Sequence, residues 1–274
     1  MSTTSPENPA LPADVPSLPA AVEPSVPVNF RDLGGVAVRG GRTRPGLVFR
    51  SDDLATATPD FVRSVCRERG IGHVIDLRSF GEAAATGRGP FADPEVTGHT
   101  VDYHHVPLSV DLTPGGRDLA NAPATPEGVA AFYADMADRS AASLATVLTL
   151  LAFTDRPAAF HCAAGKDRTG VLAALLLGAV GAGEEALAED YARTDAVMPG
   201  IHLRLAHLMG PLLAGLGTDT AALGGPMMRA EAETMRAFWR TMAGRHGDPL
   251  GGLRAAGLDE DVVRRLRGRL VQDA

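Results

Sequence analysis

Cysteine is almost absent from the 274 residues: Cys66 and Cys162 are the only two. So few thiols exclude a disulfide framework and any zinc site built on thiolates, and they fit a reducing compartment. Basic excess is lacking too, since 26 Lys and Arg stand against 33 Asp and Glu for a net charge of -7. That balance leaves nothing to neutralise a nucleic-acid backbone. No apolar run approaches the roughly 20 residues of a membrane span. The most apolar segment, Val171 to Val180, is about half that, so no stable membrane insertion is expected. The first 27 residues carry seven prolines, with no basic start and no unbroken apolar stretch, which reads as a disordered tail rather than a signal peptide. A cytoplasmic location follows as the expectation. The eight histidines lack metal-binding spacing: His104 and His105 are adjacent in a β-like run and point to opposite faces, and His202 and His207 miss the i,i+4 step. Neither a metal nor a cofactor is expected.

What remains is a chain with 45% hydrophobic residues, enough for one substantial domain over 28–274. Short β-like runs alternate with helical stretches, the pattern of an α/β fold. Leu47–Arg50, His73–Leu77, Tyr103–Leu108 and Pro157–His161 are apolar runs with strand character. Thr58 followed by Pro59 predicts a capped helix that ends at Gly70, with Cys66 on its core face. Thr125 and Pro126 open another helical region with a break near 138–140 and an end near Phe153. Further helices are predicted over 184–194, 199–214, 226–243 and 259–270. The last places Arg264, Arg265, Arg267 and Arg269 between apolar positions, as a solvated helix face does.

One segment carries chemistry: His161-Cys162-Ala163-Ala164-Gly165-Lys166-Asp167-Arg168-Thr169-Gly170. It puts a cysteine directly after a β-like run and an arginine six positions on, at a helix start. Five intervening residues can wrap the backbone so that the N–H groups of Ala163, Ala164, Gly165, Lys166 and Asp167 converge on one anion, with Gly165 relieving the curvature. The helix that follows adds its positive end, and the same field favours Cys162 as a thiolate. Arg168 supplies a planar fork that takes two phosphate oxygens at once, which a lysine cannot do. Thr169 is positioned to give its hydroxyl to the sulfur when the thiolate leaves.

This run resembles the signature of the cysteine-dependent protein tyrosine and dual-specificity phosphatases. Asn29-Phe30-Arg31-Asp32-Leu33-Gly34-Gly35, Phe49-Arg50-Ser51, Asp76-Leu77-Arg78-Ser79 with Glu82, and Glu189-Asp190-Tyr191 narrow the resemblance to the bacterial family that includes a secreted tyrosine phosphatase of mycobacteria. The resemblance implies a mixed central sheet flanked by helices, with 199–243 as a two-helix lid. It implies phosphotyrosine proteins as substrates, with phosphoserine, phosphothreonine and phosphoinositides as further ones, and it leaves non-classical export open. Lys166 then reads either as a cation for a second phosphate on an inositol ring or as a general support of the loop. A general acid is also needed. Asp111 stands about where the family places it, with Asp167 and Asp102 as alternatives. Asp76, Arg78 and Glu82 read as structural supports, and Asn29, Arg31 and Asp32 as braces. Two rivals differ in kind: a rhodanese-type sulfur transferase, which the Arg168-Thr169-Gly170 ending disfavours, and an inactive phosphatase fold that only binds phosphorylated partners.

Overall fold

A computed structural model describes residues 23–108, 125–205 and 229–273. In chain order these contain β1 (Arg31–Asp32), β2 (Ala37–Val38), β3 (Gly41–Thr43), β4 (Val48–Ser51), α1 (Pro59–Arg69), β5 (His73–Asp76), α2 (Phe80–Thr86), α3 (Pro94–Thr97) and β6 (Asp102–His105). There follow α4 (Pro126–Arg139), α5 (Ala141–Phe153), β7 (Ala158–His161), α6 (Asp167–Ala179), α7 (Glu184–Ala192), a helical stretch at 198–205, α8 (Ala232–His246), α9 (Gly251–Ala255), α10 (Glu260–Leu270) and β8 (Val271–Asp273).

The main sheet has the order β1-β4-β7-β5-β6, parallel except for the antiparallel edge strand β1. Strand alternation sends successive side chains to opposite faces, and here each face has its own core. Val48, Ile75, Ala158 and Phe160 face the larger one, packed with α4, α5 and α6. Phe49, Val74 and Ala159 face the smaller one with α1, where Cys66 is buried and burial pushes its thiol up to about 11. A small sheet, β2-β3-β8, ties the chain's end to its beginning.

Local signals behave as their chemistry requires. The Thr58 side chain accepts the Phe61 N–H, Pro59 opens α1, and Gly70 closes it in the left-handed conformation at φ 65°. The break between α4 and α5 falls at Ser140. Along α10, Arg264 and Arg265 are exposed as the sequence suggests, while Arg267 and Arg269 are half-buried: Arg267 donates to the Val180 carbonyl and Arg269 to those of Leu151 and Arg156. Arg265 also donates, to the Ala152 carbonyl. These three guanidinium groups thus serve carbonyls at or near the ends of α5 and α6, where backbone donors run out. No single helix among the described residues is long and apolar enough to cross a membrane.

Two expected boundaries move. Residues 23–27 are already ordered, with the Ser25 N–H donating to the Thr56 carbonyl at 2.9 Å and Pro27 buried. Of the expected lid, 206–228 lies outside the described residues. Residues 232–243 belong to α8, which lies along α4 and α7 with Met235, Phe238 and Met242 fully buried. A helix that contributes three side chains to the main core cannot lift away without exposing them, so this part is a wall of the domain.

Candidate active site

Strand β7 lies at the centre of the sheet between β4 and β5, and every residue of it is buried. Cys162 is the first residue beyond its carboxyl end, the edge where open α/β sheets form their sites. The chain curls from Cys162 to Lys166 and enters α6 at Asp167. Gly165 makes the curl possible: its φ is +65°, and a Cβ there would sit 2.5 Å from the Asp52 nitrogen and the Ser51 oxygen. Its N–H donates to Cys162 Sγ at 3.2 Å.

The loop's carbonyls turn the other way. Ala163 O accepts the Asp53 N–H at 3.1 Å, and Lys166 O accepts from Gly170 inside α6. Gly165 O accepts two side-chain donors, Asn29 Nδ2 at 3.0 Å and Arg50 Nη2 at 2.8 Å. With carbonyls outward, an N–H at the sulfur and the N-terminal end of a 13-residue helix beneath, the concave side is electropositive.

Arg168, in the first turn of α6, is nearly buried at 6% exposure. Glu82 grips it through two parallel hydrogen bonds, Nη1 to Oε2 at 2.6 Å and Nη2 to Oε1 at 2.7 Å. Glu82 is itself held by a capping box: it accepts the Ser79 N–H and its own N–H donates to Ser79 Oγ. Burial pushes the Glu82 carboxyl up, but the hydrogen bonds and charge of Arg168 outweigh it and hold it at about 2. Burial likewise opposes the Arg168 charge, and Glu82 and the nearby Cys162 more than restore it. Two of the guanidinium's five N–H donors serve Glu82 and a third, on Nη1, reaches the Leu77 carbonyl at 3.5 Å, which leaves two and fixes the plane of the fork. Glu82 is thus a structural support, and what it supports is Arg168. The Ser79-x-x-Glu82 spacing announces the capping box, but nothing local announces the partner 86 positions away.

Asp76 and Arg78 pair closely as expected, at 2.7 Å, and Arg78 also reaches Asp53. The Tyr103 hydroxyl donates to Asp76. His161 is wholly buried, its Nδ1 accepting the Leu54 N–H, and burial keeps its ring below the usual histidine range. Asp190 accepts from Arg31 at 3.0 Å and from Arg50 at 2.5 Å. Asp32 does not share in this. It braces a turn of its own, accepting the Gly34 and Gly46 N–H groups.

The remaining predicted residues divide. Lys166 is buried at 2% exposure with its ammonium 3.0 Å from Asp167. Asp167 Oδ1 also accepts the Tyr133 hydroxyl at 2.6 Å. Burial opposes its charge, yet Lys166 and Tyr133 hold it below the usual carboxylate range. A carboxylate so committed is a poor proton donor. Asp102 is excluded by register: it pairs with His73 at the start of the parallel strands, while His105 and His161 stand level with Asp76 at their ends. Three residues of strand put it about 10 Å from the edge where Cys162 lies. Asp111 lies outside the described residues. Thr169 is fully buried, with its hydroxyl unpartnered among the described residues and no hydrogen bond to the sulfur. The described residues contain no cluster of His, Cys, Asp and Glu able to hold a metal ion.

Fold and loop together define an α/β protein whose parallel strands carry, at their carboxyl edge, a cysteine loop that runs into the helix bearing Arg168. The profile of the tyrosine phosphatase family matches residues 25–272. The triple specificity protein phosphatase PtpB of Mycobacterium tuberculosis is 32% identical over 89% of this chain and 96% of its own length. A putative tyrosine-protein phosphatase of Cupriavidus necator is 30% identical over 88% of this chain and 84% of its own. A tyrosine-protein phosphatase of Nostoc commune is 28% identical over 96% and 92%. The chain belongs to the tyrosine phosphatase family and is a protein-tyrosine phosphatase, a hydrolase of phosphoric monoesters.

Proposed function

We propose that the enzyme works through a cysteinyl-phosphate, with Cys162 as nucleophile and Arg168 as the fork that holds the transferring group. The observation that carries this reading is a Gly165 N–H on Cys162 Sγ at the head of α6, with the Glu82-oriented guanidinium of Arg168 close enough to interact with the sulfur's charge. In the first step the thiolate attacks phosphorus in line, the S–P bond forms as the P–O bond to the leaving group breaks, and that oxygen takes a proton from a general acid. Asp111 remains the proposed acid, since the alternatives are committed elsewhere or lie at the wrong end of the sheet. In the second step water attacks phosphorus and gives its proton to the carboxylate left by the first step, the S–P bond breaks as phosphate leaves, and the Thr169 hydroxyl, unpartnered among the described residues, would turn to the departing sulfur. Arg168 and the loop amides carry the charge of the equatorial oxygens in both steps.

Phosphotyrosine proteins are the proposed main substrates, with phosphoserine and phosphothreonine supported by the breadth in the name of the mycobacterial relative. For phosphoinositides the loop lysine is the feature at issue. Its commitment to Asp167 favours loop support over contact with a second phosphate, so lipid activity ranks below protein activity.

The test is phosphate release by wild type and Cys162→Ser, with EDTA present, from a phosphotyrosine peptide, a phosphoserine peptide and soluble phosphoinositides. Wild type is expected to release phosphate, fastest from the first, and the variant to release none. Turnover that survives in Cys162→Ser would refute the mechanism, and two inert proteins would point to a binder of phosphorylated partners.

A further inference from the structure

An anion cradle works only while its carbonyl oxygens stay out of it. The Gly165 carbonyl is the weak point. Glycine occupies φ near +65° and its mirror regions with little penalty, so nothing intrinsic prevents the 165–166 peptide from rotating and turning a lone pair onto the phosphate. Two buried donors from other parts of the chain hold that oxygen: Asn29 Nδ2 at 3.0 Å and Arg50 Nη2 at 2.8 Å. Both are aimed by further contacts. Asn29 Oδ1 accepts from Arg31 Nη1, which settles the amide orientation and leaves Nδ2 to face Gly165. Arg50 is fully buried, its Nη1 bound to Asp190 Oδ2 at 2.5 Å, while Arg31 Nε takes Asp190 Oδ1 at 3.0 Å. Burial, with the Arg50 charge nearby, lowers Arg31 to about 10 although Asp190 opposes the shift.

Resting on the phosphatase reading, we propose that Asn29 and Arg50, oriented by Arg31 and Asp190, are positioning residues that pin the Gly165 carbonyl outward and so keep the loop in its oxyanion-binding form. Neither touches substrate. Each acts through one peptide plane, since in a trans peptide the N–H lies opposite the carbonyl. A simple brace would add stability to the domain. This one should set the affinity of the loop for a tetrahedral or trigonal oxyanion in molecules that are otherwise folded.

The experiment compares Asn29→Ala and Arg50→Lys with wild type. The first removes a donor without adding charge. The second keeps the cation beside Asp190 but cannot supply both contacts at once. Inhibition by orthovanadate and kcat/KM for p-nitrophenyl phosphate are measured well below the Tm of each variant, with circular dichroism to confirm folding. Losing one neutral hydrogen bond that selects a backbone state should weaken vanadate inhibition about fivefold, with a matching fall in kcat/KM. Arg50→Lys should fall about tenfold, because its donor is charged. Variants with a lower Tm but wild-type vanadate affinity would make the network a structural brace and overturn the inference alone. A wild type that neither turns over nor binds vanadate would overturn the phosphatase reading and the inference with it.

Discussion

Replacing Glu82 by Gln isolates the grip on Arg168, because the protonated carboxyl and the amide are nearly isosteric. A carboxyl that titrates near 2 in place of its ordinary 4.5 carries about 3 kcal/mol of preference for its charged form at 1.36 kcal/mol per pH unit. The sign follows from linkage. The folded state binds this proton more weakly than the unfolded state, so the contribution is fully present above about 4.5 and is lost as pH falls from there through about 2. Glu82→Gln should therefore be less stable than wild type by about 2–3 kcal/mol near neutrality, and the gap should close as pH approaches 2. Urea unfolding of both proteins across pH 2–8 reads the difference directly, and other carboxylates cancel in it. The same substitution should lower kcat, since the fork keeps its charge but loses the carboxylate that fixes its plane. A gap that stays constant over pH 2–5 would refute the claim that Glu82 is ionised by Arg168 in the folded state.

Two further outcomes follow from the same geometry. Arg168→Lys should reduce kcat about a hundred- to a thousandfold, the usual loss of one preorganised oxyanion donor, while leaving a point charge in place; near-normal turnover in steady-state assays would show that two-point contact is unnecessary. Gly165→Ala should cost at least ~2 kcal/mol and abolish activity, because a left-handed φ is costly for alanine and its Cβ would meet backbone at 2.5 Å. A wild-type Tm and activity for that variant would mean that the loop reshapes freely.

Much of this protein was legible in the order of its residues. The cradle could be read because its chemistry is local: a strand end, a cysteine, a glycine and an arginine at fixed spacing determine a loop and the helix that follows. Capped helices such as α1 were legible for the same reason, since Thr58, Pro59 and Gly70 act within one turn of themselves. The α/β alternation and the Asp76–Arg78 pair belong with them. Contacts between distant segments had no such signature. Glu82 reaching Arg168, Asn29 and Arg50 meeting at Gly165, and Tyr133 closing on Asp167 depend on strand order and register, which place residues more than thirty positions apart within hydrogen-bond reach. The fate of α8 was also decided there, because its apolar face suits a lid as well as a core until α4 and α7 are seen to cover it. Short-range chemistry thus specified the loop after β7 and the capped helices, and the long-range packing of the sheet decided which distant side chains hold that loop in place.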